Sequence, residues 1–383
     1  MLPDGRSYLG QALIDNSVTM FSREERSCMQ FITPSGTAPF TLSVLANGVT
    51  GVGTTAEQGL ASTISLARTA DKRGYHRFWM SEHHGMGATS VSSPPLMVAR
   101  LIGETERIRL GAGGVMLPNH APLLIAEQFG MLEALAPGRI DLGLGRAPGT
   151  DSATAAALRR GADANDGFPQ QVIELLGFLG NKFPPSHPYR NVYAVPGPWQ
   201  AAQNRVAAES SGPDIWVLGS SLYSAHLAAQ LGRPYAFALQ FGDTDIDTAL
   251  RIYRDTFQPS EVLAEPRILV SVPVAISDNK AAAKRQAATS AVGMLRMFKN
   301  EGYLLLPPDE SEAYPATTQE RQIVDAYTSR NFHGTPAMVA DRLEALHDST
   351  GADEIMLVVG GHSSALDERG IELIADHYKI PRA

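Results

Sequence analysis

The chain has 383 residues, 44% of them hydrophobic and 19% charged, with a formal net charge of −8, a composition that supplies a large core and excludes a disordered or collagen-like chain. It contains no basic cluster of the kind that footprints nucleic acid, and no apolar run near the ~20 residues that a membrane helix needs. Cys28 is the only cysteine, which excludes an intrachain disulfide and a thiolate metal cage. The first 30 residues mix Asp4, Asp15, Glu24 and Glu25 with Arg6, Arg23 and Arg26 around no apolar signal core, so a cytoplasmic location is expected.

The elements follow in chain order. Thr41–Ala46 (TLSVLA) reads as a first strand, and residues 55–73 follow as a helix with Ala56, Leu60, Ile64, Ala67 and Ala70 near helical spacing. A second strand is expected at 78–81 and its helix at 95–105, then a third strand at 108–117. A helix at 121–136 is stopped by Pro137-Gly138, and a fourth strand spans 139–144. From 147 to 213 repeated prolines break the alternation, with some helix near 169–179. Strands are then expected at 215–218, Tyr235–Ala238, 268–275 and 355–359, with a helix at 221–231 and a second irregular region at 301–335. Alternating strands and helices indicate a parallel sheet, and eight strands favour a closed (β/α)8 TIM barrel over an open doubly wound sheet. The long insertions after strands 4 and 7 then emerge at the active-site face, where long structureless insertions are lids or disorder, and a lid is expected here.

The carboxyl ends of such strands build the active site. The second strand ends in Glu82-His83-His84. Adjacent strand residues point to opposite faces, so the two histidines cannot easily share a metal, and no third ligand is evident. An imidazole there can serve as base or hydrogen-bond donor, and the alternative is a polar strand end satisfied by loop backbone. The third strand carries Gly111-Ala112-Gly113-Gly114, which suggests either close approach of another group or a β-bulge. Met116 closes that strand and, like Met80, Met131 and Met294, reads as core filler, with cofactor contact beside Gly113 and Gly114 as its alternative. Gly143-Leu144-Gly145-Arg146 does not have dinucleotide-fingerprint spacing, so Arg146 is the informative residue: a fixed cation, or the partner of Asp141 or Asp151. In WVLGSSLYSAHLAAQ a strand ends at Gly219 and Ser220-Ser221 open a helix, with Ser224 one turn on. Free N–H groups there favour a phosphate, unless the serine is simply a cap. No G-x-S-x-G elbow is present.

These stretches, EHH, GAGGVMLPNHAPLLIAEQFGMLEALAPGRIDLGLGRAPGTD and WVLGSSLYSAHLAAQLGRPYAFA, resemble the bacterial luciferase-like flavin monooxygenases from about residue 41 to the C-terminus. Residues 1–40 fall outside the resemblance as an N-terminal extension, leaving 41–383 as one barrel domain. The resemblance implies His83, and more weakly His84, as the catalytic histidines, facing reduced FMN. It implies that Gly113 and Gly114, joined by a cis peptide, lie against the flavin ring with Met116, that Arg146 stands near flavin or phosphate, and that Gly219, Ser220, Ser221 and Ser224 hold the phosphate. No NAD(P) fingerprint is present, so the FMN is expected to arrive reduced from a separate NAD(P)H–flavin reductase and to react with oxygen and a small organic substrate. Two rivals share the barrel: a deazaflavin- or flavin-dependent dehydrogenase or reductase, and a flavin-binding protein without catalysis. The uninterrupted EHH and GGVMLPNH favour the oxygen-using branch. A homodimer is expected through the second and third helices, the latter apolar around much of its circumference (Ala126, Phe129, Gly130, Leu132).

Overall fold

Strand parity sorts the barrel into an inside and an outside. Leu45, Trp79, Trp216, Ala236, Leu269, Met356 and Val358 pack together within the barrel. Their strand neighbours, such as Val44, Phe78, Val217, Phe237 and Leu357, face out to the helices. Both faces are therefore buried, as parallel sheets require. The computed structural model describes residues 36–161, 163–207, 212–241 and 245–382. Cys28 and most of the N-terminal extension lie outside the described residues.

The strands are β1 (Thr41–Ala46), β2 (Arg77–Met80), β3 (Arg109–Met116), β4 (Ile140–Gly145), β5 (Asp214–Gly219), β6 (Tyr235–Ala238), β7 (Ile268–Ile276), β8 (Phe332–Gly334) and β9 (Glu354–Val359). Parallel pairing runs β1 through β7 in order, then β7 to β9 and β9 back to β1, closing an eight-stranded barrel. The strand expected at 355–359 is thus ninth in the chain. Three-residue β8 adds to the far end of β7, opposite Val274–Ile276, outside the closed ring.

The helices are α1 (Ala56–Lys72), α2 (Pro94–Ile102), α3 (Pro122–Leu135), α4 (Ser152–Ala157), α5 (Phe168–Gly180), α6 (Pro198–Gln203), α7 (Leu222–Gln230), α8 (Ile246–Thr256), α9 (Lys280–Phe298), α10 (Pro308–Ala313), α11 (Thr318–Arg330), α12 (Pro336–Thr350) and α13 (Ser364–His377). A Thr55–Gln58 capping box starts α1. Its buried face is Gly59, Thr63, Leu66, Ala67 and Ala70, while Leu60, expected in the stripe, is 36% exposed. Small residues win that face because Gly59 sits against the Val49 carbonyl and the Thr50 and Ser90 hydroxyls, where a Cβ would come within 2.5 Å of Thr50 Oγ1.

Both irregular regions carry structure. In the first, Phe168, Val172 and Leu175 of α5 join the core, and the helix packs beside α3 and the turn Leu117–Asn119. In the second, Tyr314, Leu306 and Val324 pack on Val292 and Leu295 of α9. Its leading segment crosses the carboxyl ends of the strands, where Val52 N–H donates to Leu305 O at 2.8 Å. Phe129, expected at a dimer contact, is fully buried in the core, and Gly130 lies against the Pro196 carbonyl. The apolar side chains that α2 and α3 leave exposed are Leu96, Leu124, Met131 and Leu135.

The amino ends of the strands close the barrel with charge. Arg77 donates to Asp141 Oδ2 and Glu354 Oε1, each at 2.7 Å, and Trp79 Nε1 donates to Asp141 Oδ2 at 2.9 Å. Arg109 bridges Asp141 Oδ1 at 2.7 Å and Asp214 Oδ2 at 2.6 Å. This floor leaves the opposite, carboxyl end as the open mouth. Among the described residues no helix is long and apolar enough to cross a membrane.

Candidate active site

The chain leaves β2 through Ser81 into Glu82, whose side chain is 1% exposed. Its Oε1 accepts from His84 Nε2 at 2.9 Å, His120 Nε2 at 2.9 Å and Asn119 Nδ2 at 3.1 Å. Its Oε2 accepts from Met116 N–H at 3.0 Å. Burial pushes this carboxyl up, but the bonds from His120, His84 and Met116 outweigh it and hold the pKa below the usual carboxylate range. The ends of β2 and β3 are thereby tied together, along with the turn Leu117–Asn119.

His83 points the other way. Its Nδ1 lies 3.3 Å from Gly149 O. A carbonyl only accepts, so the network assigns the proton to Nδ1 and leaves the Nε2 lone pair free. Burial is the largest influence on this imidazole and pushes its pKa below the usual histidine value, partly offset by the Gly149 bond and the Glu82 charge. The 149–150 loop clamps the neighbouring backbone: His84 N–H donates to Gly149 O at 3.3 Å, and Thr150 Oγ1 to His84 O at 2.5 Å. Gly149 has φ +67°, and a Cβ there would lie 2.8 Å from Glu82 O, so glycine serves both its turn and its close approach.

On β3, the Gly113-Gly114 peptide is cis, and the pairing register with β4 shifts between Gly113 and Val115. Side chains are excluded here: a Cβ on Gly113 would lie 2.6 Å from the Trp79 ring, and one on Gly114 2.7 Å from Gly143 O. Met116 lies beneath Gly145 and Gly149, with Sδ 2.9 Å from a Cβ built on Gly145.

Arg146 leaves the end of β4 and stacks 4.4 Å above the Tyr223 ring. Neither proposed acid pairs with it. Asp141 is held by Arg77 and Arg109 at the opposite end of β4, and Asp151 caps α4 through the N–H groups of Ala153 and Thr154. Arg160, which sequence patterns did not single out, fixes the loop around it, donating to Asn119 Oδ1 at 2.8 Å and to Arg146 O at 2.7 Å.

At the end of β5, Ser221 caps α7 and accepts from Ser224 N–H at 3.4 Å. Helix geometry leaves the N–H groups of Leu222 and Tyr223 without intrahelical acceptors at the barrel mouth. Ser220 and Ser221 are half-buried beside them. Ser224 is buried beneath the turn, with its hydroxyl donating to Ser221 O at 2.8 Å, and Tyr235 OH donates to Gly219 O at 3.1 Å. These two hydroxyls support the turn from below. Gly219 admits them, because a Cβ there would meet Ser224 Oγ at 2.5 Å.

Of the residues singled out from sequence, the structure therefore brings His83, Gly113, Gly114, Met116 and Arg146 to adjoining strand ends, with the serine turn on the same face. Glu82, Asn119, His120 and Arg160 join them. His187 stacks on Phe183 and Trp199 on Tyr193, both within the first insertion, and His333 of β8 bonds Asn331 O at the end of α11. Among the described residues no group of three or more His, Cys, Asp or Glu is placed to hold a metal ion.

A closed parallel barrel with an EHH strand end, a Gly-Gly strand end and a serine-capped turn on its carboxyl face defines a class of enzyme. The family model for luciferase-like monooxygenases matches residues 40–354, and the chain belongs to that family. The chain is 39% identical to a luciferase-like monooxygenase of Escherichia coli K12, over 80% of this chain and 87% of that one. It is 30% identical to the N-acetyl-S-alkylcysteine monooxygenase of Bacillus subtilis, over 88% and 97%. The crystal structure of apo-MsnO8 superposes with TM-score 0.77 at 33% identity, covering 90% of this chain and 99% of that one. At 19% identity and TM-score 0.64, the FMN complex of the oxygenating constituent of a Pseudomonas putida 3,6-diketocamphane monooxygenase shares the fold, over 88% and 98%.

Proposed function

We propose that this monooxygenase uses FMN, takes it reduced from a separate NAD(P)H-dependent flavin reductase, and oxidises a small organic substrate with molecular oxygen. The observation that carries this reading is His83: an imidazole whose pKa burial lowers, with Nδ1 committed to Gly149 and Nε2 open, beside a strand end from which side chains are excluded. The FMN complex of the diketocamphane enzyme supports the choice of cofactor, and that protein's description as an oxygenating constituent supports a separate reductase.

The residues present fit FMN. Its phosphate carries charge that the first turn of α7 can receive through backbone N–H groups and the Ser220 and Ser221 hydroxyls, with Ser224 and Tyr235 bracing the turn. The Arg146 guanidinium, stacked on Tyr223 and outside any ion pair among the described residues, supplies a second fixed positive charge at the mouth. Gly113 and Gly114 present bare backbone to a flat ring, with Met116 below. Reduced FMN, when bound, supplies the two electrons that activate oxygen. His83 Nε2 then accepts or holds a proton at the reacting centre, and the segment carrying Leu304 and Leu305 covers the strand ends and excludes water. We place the subunit in a homodimer through the exposed apolar residues of α2 and α3.

The test supplies photoreduced FMN, or reduced deazaflavin, to the purified protein with air and candidate substrates. Substrate-dependent oxygen incorporation with FMN supports the reading. Hydride transfer with deazaflavin alone, without oxygen uptake, rejects it.

A further inference from the structure

The structure assigns Glu82 a positioning role: it fixes the tautomers of His84 and His120 and sets the charge that His83 feels, with His120 acting on the site through it. No sequence motif gave Glu82 or His120 a task, and the assignment rests on the proposed catalytic use of His83.

Glu82 meets four donors with two oxygens. Only an ionised carboxylate has the acceptor capacity for that set, because a protonated one would turn an O–H toward a donor. Since a carboxylate cannot donate, both imidazoles must present Nε2–H to it, so a ring with one proton carries it on Nε2. Three loops are drawn onto this one group: the β2 end through His84, the β3 end through Met116, and the following turn through Asn119 and His120. Asn119 passes the restraint on, donating also to Pro148 O at 3.1 Å and accepting from Arg160. The loop that clamps His83 through Gly149 is therefore held by the same network. The charged and titratable groups facing this cluster are Glu82 and His84 on the β2 loop, His120 on the β3 loop and Arg160 on the first insertion. Glu82 is the one anion among them, and it favours a proton on His83.

Glu82→Gln makes the test, because an amide offers one acceptor oxygen and an NH2 that only donates, and so cannot satisfy all four partners. FMN affinity should stay within about threefold of wild type while kcat falls at least about tenfold. The acid limb of the kcat profile should move to lower pH by about one unit, since removal of the anion disfavours protonated His83. His120→Phe keeps a ring and removes one of the donors that hold Glu82 ionised, so the limb should move the same way by a smaller amount. Long-range 15N–1H NMR on the apo proteins reads the same quantities without flavin. His84 and His120 should be Nε2–H tautomers in wild type, and the His83 titration should shift downward in Glu82→Gln. Nδ1–H tautomers at His84 and His120, or a His83 titration and pH profile unmoved by either variant, would overturn the assignment. If wild type shows no monooxygenase activity, the NMR result still decides the positioning role, while the proposed function fails separately.

Discussion

At the residue scale, the side chains with a chemical task were legible where the residue type itself limits the task. His83 stood out because imidazole is rare and versatile, and glycines in a strand require a reason. Glu82 was not legible as a hub, because its role depends on Asn119 and His120, which are 37 and 38 residues further on. Arg160 was invisible for the same reason, lying in a segment with no periodic pattern. Sequence left Arg146 between an ion pair and a fixed cation, and the structure decides it because Asp141 belongs to the floor of the barrel. The serine turn supports one prediction at this scale. Ser221→Asp puts a negative charge at the N-terminus of α7, so FMN affinity should fall at least tenfold, about 1.4 kcal/mol. Riboflavin, lacking the phosphate, should bind nearly as before, and isothermal titration of both ligands checks this. Equal losses would remove the phosphate from this turn.

At the element scale, the strands were read to within one or two residues because each is a short apolar run bounded by turn residues. The α1 stripe held at Ile64, Ala67 and Ala70 but was misread at Leu60, where close packing selected Gly59 and Thr63 instead. The helix expected near 169–179 is α5, but the rest of the insertions was read as irregular because prolines punctuate them, although Pro at the first turn of a helix is favourable, as in α6 and α10. The charged floor was equally hard to see: Arg77, Arg109, Asp141, Asp214 and Glu354 lie far apart along the sequence, and only barrel closure brings them together. Burial pushes the Asp141 carboxyl up, but the Arg109 and Arg77 guanidinia outweigh it and bring its pKa down to about 2. A carboxyl with a depressed folded pKa stabilises the fold above its unfolded value near 3.9. That contribution should be lost as pH falls from about 4 toward 2. Asp141→Asn leaves Arg77 and Arg109 short of a buried anion and should cost about 3–5 kcal/mol, read by urea unfolding at pH 7. The acid-induced loss between pH 4 and 2 should be smaller in the variant. Wild-type stability at pH 7 in Asp141→Asn would contradict a structural role for the floor.

At the scale of the whole molecule, the barrel was legible because strand count and alternation leave few topologies, and the extra β8 was missed because three residues carry no period. The dimer proposal now rests on different side chains from those first expected. Phe129 is committed to the subunit's own core, so a charge there tests folding, whereas Met131 at 55% exposure and Leu135 at 62% can be charged without opening the core. Light scattering should give twice the chain mass for wild type, and Met131→Glu with Leu135→Glu should bring it toward the monomer with little change in thermal stability. A wild-type protein that stays monomeric when concentrated would remove the dimer.

The central claim is that this barrel holds reduced FMN and directs its reaction with oxygen through His83. The most direct measurement titrates reduced FMN into wild type and His83→Ala without oxygen, then mixes each complex with oxygenated buffer and substrate while following flavin absorbance and product. Comparable FMN binding by both proteins is expected, with product formation about 10²–10⁴-fold lower in the variant. No binding of reduced FMN by wild type, or equal product from both proteins, would contradict it.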